Sequence, residues 1–275
     1  DPSGVDSSAV ANLARQVSDA PIHSFTLALE EREHDEGRYA RRIAEAVGSQ
    51  HHETLLTEQR FVAQLESALD SLDQPTFDGL NSYFMSRAVN EAGLKVALVG
   101  TGGDELFGGY RSFLDLPRLM QASRTARHWP HWLREAVLSS FSVLMCQRGG
   151  VFPPQTRWAK LRPMIARGDD IVALYQMAYA LFLPSAQRKL LGSQVGEALI
   201  EGLPARAHER LHQEVGQRSP LSALSVLEQR LFLGERLLRD TDSVSMGMSI
   251  ETRLPLVDAT LLTQVDRLPN ALRYD

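Results

Sequence analysis

The chain has 275 residues, of which 43% are hydrophobic and 23% are charged, and its formal net charge is -5. This composition is typical of a globular protein, and the negative charge argues against nucleic-acid binding, which needs a basic surface. No apolar run approaches the roughly 20 residues of a membrane helix. The single cysteine, Cys146, excludes an internal disulfide. We therefore expect a cytoplasmic protein with neither a membrane nor a nucleic acid as partner.

The first 114 residues alternate between helix and strand patterns. Short β-rich runs predict strands, and apolar residues spaced three or four apart predict helices. The predicted strands are Ile22–Leu29, His51–Leu56 and Lys95–Val99, and the predicted helices are Ser8–Val17, Asp35–Gly48, Phe61–Leu72 and Asn81–Ala92. Such alternation predicts an α/β fold in which helices cover both faces of a parallel sheet.

The remaining residues, 115–275, show helical patterns without strand alternation. Prolines punctuate this part, and we expect helices to break at them. These prolines are Pro117, Pro130, Pro153, Pro154, Pro163, Pro184, Pro204 and Pro220. We therefore divide the chain into an α/β part, residues 1–114, and a large α-helical part, residues 115–275.

The stretch SGVDSS, residues 3–8, is placed where a strand would hand over to a helix. The hydroxyls of Ser7 and Ser8 and the free N–H groups of a helix start favour a phosphate group. Asp6 would repel that phosphate unless Mg²⁺ lies between them, because this cation binds both kinds of oxygen. Aspartate and serine are also common helix caps, so this stretch taken alone favours an ordinary helix start.

A second glycine-rich loop, GTGGDELFGGY at residues 100–110, follows the third predicted strand. Its glycines allow backbone amides to approach a ligand closely, and Asp104 and Glu105 could bind a metal ion or accept hydrogen bonds. The loop lacks the Lys-Ser/Thr of a Walker A motif, and Glu105 takes the place of the third glycine of the dinucleotide fingerprint. Two such loops at the carboxyl ends of parallel strands would converge on one ligand crevice.

A third stretch, RDTDSVSMGMSIETRLPLVD, occupies residues 239–258 and places several charges among apolar residues. We expect Asp242 and Ser245 to face a ligand. For Arg253 we expect a buried ion pair, with either Glu251 or Asp258, that joins a helix to the sheet. No zinc site is predicted at His51 and His52, which have no cysteine or further histidine at ligand spacing.

These stretches together resemble a known family. SGVDSS resembles the pyrophosphate loop of the N-type ATP pyrophosphatases. GTGGDELFGGY and DTDSVSMGMSIETRLPLVD resemble the synthetase domain of the glutamine-hydrolysing asparagine synthetases. SFTLALEE, DEGRYARRIAEAVGSQHHE and DQPTFDGLNSYFMSRAV follow in the order of that family. The resemblance covers nearly the whole chain and implies an ATP-pyrophosphatase core with a large helical C-terminal part.

The resemblance implies an ATP- and Mg²⁺-dependent ligase. The side-chain carboxylate of aspartate would be adenylated with release of pyrophosphate, and ammonia would then displace AMP to give asparagine. The resemblance also implies a role for each site residue. Pyrophosphate would be bound by Ser3, Gly4, Ser7 and Ser8, and Mg²⁺ by Asp6 and Asp104. The nucleotide would lie beside Gly100, Gly102 and Gly103, with adenine next to Leu29, and the catalytic residues would be Thr101, Asp104 and Glu105.

The resemblance also carries expectations about the rest of the protein. Both parts would form one synthetase domain, in which residues 239–258 return to the site. A glutaminase domain is expected at the N-terminus of the full-length chain, and a homodimer is one arrangement that the resemblance allows. The segment would lack the strand that leads into SGVDSS, so that neighbouring strands miss partners and the activity of the segment alone is reduced.

Two departures from the family pattern keep alternatives open. Pro2 stands where the family has serine and removes one backbone N–H. Thr101 replaces an acidic residue that bears on the acyl substrate. The alternatives are a relative that closes β-lactam or lasso-peptide rings by the same adenylation, and a non-catalytic ATP-binding module.

Overall fold

The computed structural model describes residues 4–29, 37–76, 78–126, 128–130, 160, 163–165, 167–197, 199–200 and 202–274. Ser3 and Cys146 lie outside these ranges. The α-helices are α1 (Val5–Val17), α2 (Gly37–Val47), α3 (Glu58–Asp70), α4 (Gly79–Glu91), α5 (Gly103–Phe107), α6 (Ser112–Ala126), α7 (Ile171–Tyr179), α8 (Pro184–Glu197), α9 (Ala205–Val215), α10 (Pro220–Leu227), α11 (Leu238–Gly247), α12 (Ala259–Asp266) and α13 (Asn270–Arg273). The strands are β1 (His23–Leu29), β2 (Gln50–Leu56), β3 (Val96–Leu98), β4 (Leu199–Ile200), β5 (Leu203–Pro204) and β6 (Glu251–Arg253).

The chain divides into two compact units. Unit 1 contains Asp1–Gly109 and Glu228–Arg273, and unit 2 contains Tyr110–Leu227 and Tyr274–Asp275. The third motif stretch, residues 239–258, therefore belongs to the same compact unit as the two glycine-bearing loops. The division of the chain near residue 114 stays a prediction about domain organisation.

The strands of unit 1 form two parallel pairs. In the first pair, β1 and β2 run in register from His23 opposite Gln50 to Leu29 opposite Leu56. In the second pair, β3 lies beside β6, with Ala97 opposite Thr252. The mixed α/β class with parallel strands is confirmed, and the three strands predicted within the first 114 residues are all present, with ends that shift by at most one residue.

The prediction that residues 115–275 contain no strand was wrong, because β4, β5 and β6 lie there. Strand β6 matters for the site because it is the partner of β3. The N–H of Glu251 donates to the Lys95 carbonyl (2.8 Å), and the N–H of Val99 donates to the Arg253 carbonyl (2.9 Å). These bonds anchor the strand that leads directly into the second glycine loop.

The core of unit 1 lies between β1, β2 and helices α3, α4 and α11. Apolar side chains that recur at helical spacing pack against the inner faces of the strands. The buried cluster consists of Ala68, Tyr83, Phe84 and Val244, and the partly buried side chains around it are Leu27, Leu56, Phe61, Leu72, Leu80 and Met248. This core joins the third motif stretch, through α11, to the first 91 residues.

A π-helix, Glu228–Leu237, runs directly into α11. A π-helix closes i→i+5 hydrogen bonds, is rare, and occurs often next to functional sites. Helix α5, which begins in the second glycine loop, packs against this segment. Glu228, at its start, is fully buried.

Unit 2 is a helical assembly in which α6, α7, α9 and α10 pack on one another. Its core consists of large apolar side chains from these helices, namely Phe113, Leu116, Met120, Val172, Leu174, Leu211, Val215, Leu224 and Leu227. Lys160 closes the end of α7, where its ammonium group donates to the carbonyls of Ala178 (3.0 Å) and Ala180 (2.6 Å). Burial lowers the pKa of this lysine.

Pro153 and Pro154 lie outside the described residues, and among the described prolines the predicted helix break holds at some and fails at Pro117. Pro184 and Pro220 begin helices α8 and α10, as expected of a residue whose missing N–H costs nothing in the first turn. Pro117 lies inside α6, which continues past it to Ala126, so the break predicted there was wrong. No described helix is both long and apolar enough to cross a bilayer.

Candidate functional site

The first glycine-bearing loop opens helix α1. Gly4 has a φ of 93°, a left-handed conformation that favours glycine, and it takes the N-cap position of the helix. Because glycine has no side-chain oxygen, this cap residue leaves the N–H groups of the first turn uncapped. The hydroxyls of Ser7 and Ser8 both donate to the Gly4 carbonyl, which fixes both side chains at the helix start.

The two glycine-bearing loops touch. A Cβ placed on Gly100 would lie 2.5 Å from the Ser7 nitrogen and 2.8 Å from the Asp6 carbonyl carbon. A Cβ on Gly103 would overlap the Asp6 carboxylate. At Gly100 only glycine permits this approach, because real Cβ atoms do not come within about 3 Å of backbone neighbours. At Gly103 a Cβ would force the Asp6 side chain to move. We call Asp6 and Asp104, with the backbone of Gly100 and Gly103, the acidic junction.

One carboxylate of the acidic junction acts on the pKa of the other. Burial raises the pKa of Asp6, the negative charge of Asp104 raises it further, and a hydrogen bond from the Asp104 backbone opposes both effects. Burial also raises the pKa of Asp104. Two acids held half-buried next to each other disfavour their own ionised forms, and a bound cation relieves that cost.

The backbone that follows Asp104 turns back on it. The N–H groups of Gly108 and Gly109 donate to the Asp104 carbonyl at 2.9 and 3.0 Å. A Cβ on Gly109 would overlap the Asp104 carboxylate, so this glycine also keeps space for the side chain. Glu105, the second acidic residue of the loop, is buried.

The third motif stretch meets the second glycine loop beyond β6. Gly102 has a φ of 112°, and a Cβ placed there would come within 2.8 Å of the Val257 side chain. Val257 lies in the 3₁₀-helix Pro255–Val257, immediately after β6. The contact between Gly102 and Val257 was not apparent from the sequence, because the two residues lie in separate motifs.

Asp240 binds α11 to the segment that precedes α4. Its carboxylate is 1% exposed and accepts hydrogen bonds from the Thr76 hydroxyl (2.9 Å) and the Asp78 N–H (3.1 Å). The side chain of Gln74 lies 3.5 Å away. Burial raises the pKa of Asp78, a hydrogen bond from Asn81 opposes that shift, and the charge of Asp240 adds to it.

The sequence-based roles within residues 239–258 need correction. Ser245 was expected to face a ligand, but it is 1% exposed, and its hydroxyl lies 3.5 Å from that of Thr252. The expected buried ion pair of Arg253 is wrong, because Glu251 and Arg253 pair at 2.9 Å with side chains that are 60% and 61% exposed. Alternate residues of a strand share a face, and this face is exposed. Asp242 is exposed.

Asp258 does not pair with Arg253 but caps α12. Its carboxylate accepts the N–H groups of Thr260 (2.9 Å) and Leu261 (3.2 Å). These bonds, that of Leu261 foremost, lower the pKa of Asp258. The side chain thus has a helix-capping role of the usual kind.

The other sequence-predicted residues are distributed as follows. Thr101 is half-buried in the turn between Gly100 and Gly102. The backbone of Leu29 ends β1, opposite Leu56, and Ser3 lies outside the described residues. The structure therefore brings Asp6 and Ser7 against Gly100, Gly103 and Asp104, whereas Gly4 and Ser8 belong to the same helix start and Gly102 contacts Val257, all within unit 1.

The acidic junction can support a defined chemistry. Uncapped N–H groups at a helix start attract phosphate oxygens, whereas two adjacent carboxylates attract a hard cation such as Mg²⁺. The oxygen donors of Asp6 and Asp104 suit this ion. The two features at one loop contact fit a phosphate compound that binds together with a divalent metal ion.

Comparison with known proteins identifies the family of the chain. The family described as asparagine synthase matches residues 3–275. A putative glutamine-hydrolysing asparagine synthetase of Mycobacterium tuberculosis is 27% identical over 97% of this chain and 38% of its own length. Glutamine-hydrolysing asparagine synthetase 1 of Bacillus subtilis is 21% identical over 98% of this chain and 40% of its own length.

Amidases are also among the relatives. Amidase chyE of Penicillium rubens is 25% identical over 98% of this chain and 42% of its own length. The chain thus spans about two fifths of the length of these curated relatives. Since the family match covers nearly all of the 275 residues, the chain belongs to the asparagine synthase family.

Proposed function

We propose that this chain performs ATP-dependent amide-bond formation on the side-chain carboxylate of aspartate. A carboxylate oxygen attacks the α-phosphorus of ATP, the bond to the β-phosphate breaks, and pyrophosphate leaves. Ammonia then attacks the acyl carbon, AMP leaves with the bonding electron pair, and the nitrogen loses a proton. The products are asparagine, AMP and pyrophosphate.

One observation carries this proposal. The Asp6 carboxylate packs on Gly103 and lies close enough to Asp104 for the charge of one to raise the pKa of the other. A fold gains no stability from two unneutralised acids in a half-buried position. The arrangement makes sense if the two carboxylates hold a cation that accompanies a polyphosphate.

The site residues divide the work by chemical type. Ser3, Gly4, Ser7 and Ser8 bind pyrophosphate through N–H and hydroxyl groups, and Leu29 lies beside adenine. The backbone of Gly100, Gly102 and Gly103 approaches the nucleotide. Mg²⁺, held by Asp6 and Asp104, would neutralise phosphate charge, which is the main requirement of phosphoryl chemistry of this kind.

Asp104, Glu105 and Thr101 would act near the reacting carboxylate. Thr101 is a neutral residue at the turn that leads into α5, so this position supplies no charge to repel or attract the acyl substrate. The amide nitrogen would come from glutamine through a glutaminase domain in the longer protein. We place the enzyme in a reducing cytoplasm, because its single cysteine cannot form an internal disulfide.

A second candidate is amidation of a carboxylate other than that of aspartate. Amidase chyE is about as similar to this chain as the mycobacterial synthetase, with 25% against 27% identity. The neutral Thr101 also favours a wider range of acyl substrates. The same two steps then apply to another acid, with AMP and pyrophosphate as shared products.

The test measures what the purified protein makes from ATP, Mg²⁺, aspartate and ammonium ion. We expect AMP, pyrophosphate and asparagine in equal amounts, each dependent on aspartate. ADP with inorganic phosphate would contradict adenylation. AMP formed with another carboxylic acid, and not with aspartate, would favour the second candidate.

A binding measurement separates an inactive protein from a wrong proposal. Titration with Mg²⁺–ATP should show one binding event that Asp6→Asn abolishes. Binding without pyrophosphate release from any carboxylate would instead indicate a non-catalytic ATP-binding module. An exposed carboxylate at the end of α3, Asp70, supplies the matched control, and Asp70→Asn should bind as the wild type does.

A further inference from the structure

Unit 2 contains a cluster of metal-ligand side chains that the proposed amide chemistry does not use. His208 and His212 lie one helical turn apart on α9, with their Nε2 atoms 3.2 Å apart. The Oδ1 atom of Asp170 lies 3.6 Å from His212 Nε2. One ligand atom from each side chain lies within 4.8 Å of the other two. We call these three residues the His–Asp cluster.

The fold holds each member of the cluster in place. Asp170 is the N-cap of α7, where its Oδ1 accepts the N–H of Ala173 at 3.0 Å. Residues 208 and 212 lie four positions apart and therefore share one face of α9. The buried side chains of Leu211 and Val215 fix the rotation of this helix. The side chains of His212 and Asp170 are 38% and 28% exposed, which leaves solvent access to the cluster.

A hydrogen bond can join the two histidines, but it does not include the carboxylate. His212 Nε2 faces both His208 Nε2 and the Asp170 carboxylate. One imidazole N–H can donate to the other ring, whereas the 3.6 Å between His212 Nε2 and Asp170 is longer than a hydrogen bond. A cation between the three atoms would instead be bonded by a lone pair from each.

Two of the three separations in the cluster are close to those that a bound metal ion requires. Two ligands about 2.0–2.1 Å from a tetrahedral zinc ion lie about 3.3 Å apart. The separations of 3.2 and 3.6 Å that involve His212 bracket that value. The third separation, between the ligand atoms of Asp170 and His208, is no more than 4.8 Å.

The donor types select the class of metal. Two imidazoles with one carboxylate favour Zn²⁺ and related transition ions, whereas Mg²⁺ prefers oxygen ligands alone. Residues 208–212 read His-Glu-Arg-Leu-His, the H-E-x-x-H spacing that puts two zinc ligands on one helix face. Asp170 adds a third ligand from another helix, which makes a chance match of the spacing a weaker explanation.

We propose that the His–Asp cluster binds one Zn²⁺ ion, with His208, His212 and Asp170 as its protein ligands. Three protein ligands leave a coordination position for water or a small anion. This site is chemically distinct from the acidic junction, which offers carboxylate oxygens only. The inference is independent of the proposed function, because metal binding is measured without ATP or an acyl substrate.

The test is calorimetric titration of the purified, metal-free protein with Zn²⁺ alone, in excess Mg²⁺ that occupies oxygen-only sites. We expect one equivalent to bind. His208→Ala and His212→Ala should each weaken that affinity by more than about tenfold, because even loss of an outer partner costs that much. Co²⁺ in place of Zn²⁺ should give the visible absorption of a four-coordinate ion.

Three further variants make the test decisive. Asp170→Asn keeps an oxygen for the Ala173 N–H and removes the charge, so it should fold normally and still bind Zn²⁺ more weakly. His128→Ala removes an exposed histidine outside the cluster and should leave the affinity unchanged. His52→Ala removes one member of the His23–His52 pair, whose ring nitrogens lie 2.9 Å apart, and should also leave it unchanged. Binding of Zn²⁺ as tight in the cluster variants as in the wild type, or no stoichiometric binding at all, would overturn the proposal.

Discussion

Two acidic regions of unit 1 differ in how their carboxylates are satisfied. The Asp240 carboxylate is almost completely buried and accepts hydrogen bonds from Thr76 and from the backbone of Asp78. In the acidic junction, Asp6 instead faces a second carboxylate, that of Asp104, over a glycine that leaves it room. Both regions bury charge, but only Asp240 is compensated chiefly by donors from the protein itself.

The difference separates a structural acid from a functional one. A buried carboxylate with its own donors links two elements and needs nothing else. A pair of half-buried carboxylates with raised pKa values stores a cost that a ligand can remove, which is typical of a binding or catalytic site. The following predictions test this distinction, beginning with the largest expected effect.

Loss of either acid of the acidic junction should abolish turnover. Asp6→Asn and Asp104→Asn keep the shape of the side chain but remove a charge that would neutralise bound Mg²⁺. We expect pyrophosphate release to fall by about 10²–10³-fold or more, measured with a coupled phosphate assay. Asp70→Asn is the control, and a similar loss in that variant would show that the assay reports general damage.

Removal of the Asp240 carboxylate should destabilise the fold. Asp240→Ala leaves the Asp78 N–H and the Thr76 hydroxyl without this acceptor, so we expect a loss of about 2–4 kcal/mol in the free energy of unfolding. Asp240→Asn keeps one acceptor oxygen and should lose less. Urea denaturation measures both values, and an Asp240→Ala variant as stable as the wild type would refute the structural role.

A methyl group at Gly103 should disturb the acidic junction. Gly103→Ala would place its Cβ against the Asp6 carboxylate, at a cost of about 1–3 kcal/mol to stability or to Mg²⁺–ATP binding. Gly247→Ala, whose Cβ would have its nearest contact 3.7 Å away at Ser71, is the matched control. Equal behaviour of the two variants in thermal unfolding and ATP titration would show that the Asp6 carboxylate does not need the space that Gly103 leaves.

The metal-free protein should gain a little stability when one acid is neutralised. The pKa of Asp6 is raised in the folded state, so the protonated side chain favours folding at low pH. This contribution to the free energy of unfolding is lost as pH rises through the folded-state pKa, and at neutral pH the ionised side chain is a cost to the fold. At neutral pH Asp6→Asn should therefore raise Tm, by about 1–2 °C for about 0.5 kcal/mol after screening.

Added Mg²⁺ should reverse this order. It should raise the Tm of the wild type and leave that of Asp6→Asn unchanged, because only the wild type has both carboxylates. Scanning calorimetry at pH 7.5 with and without Mg²⁺ gives both numbers. A lower Tm for metal-free Asp6→Asn would indicate that the carboxylate stabilises the fold after all.

The smallest effect is expected for the exposed pair on β6. Because Glu251 and Arg253 are both about 60% exposed, Arg253→Ala should change the free energy of unfolding by less than about 0.5 kcal/mol. Thermal unfolding at two salt concentrations measures this change. A loss above about 1.5 kcal/mol in the free energy of unfolding would instead indicate a buried ion pair, as the sequence pattern favoured.

Local patterns were sufficient to predict much of unit 1. Strands β1, β2 and β3 follow from β-rich apolar runs, and α2 ends at Val47, just before Gly48, as its glycine stop predicts. The loop stretches could be selected because glycine, serine and aspartate cluster after strand or before helix patterns. These signals are local, and a sequence shows them directly.

Other features depend on residues far apart in the chain. Strand β6 has only three residues, which is too few to show the alternation of apolar and polar residues that predicts a strand. It forms because β3 pairs with it. Ser245 shares a motif with exposed Asp242, yet helix rotation buries it. In the His–Asp cluster, the H-E-x-x-H spacing of His208 and His212 is visible in the sequence, but Asp170 lies 38 residues before His208, and only the packing of α9 near α7 brings it to the two histidines.

The most direct test of the acidic junction is the pKa of Asp6, measured by carboxyl carbon NMR in the wild type and in Asp104→Asn. Removal of the like charge should lower this pKa while leaving the part that burial causes, and Mg²⁺ should lower it further in the wild type. An Asp6 pKa that is the same in both proteins and insensitive to Mg²⁺ would mean that the two carboxylates do not share a site.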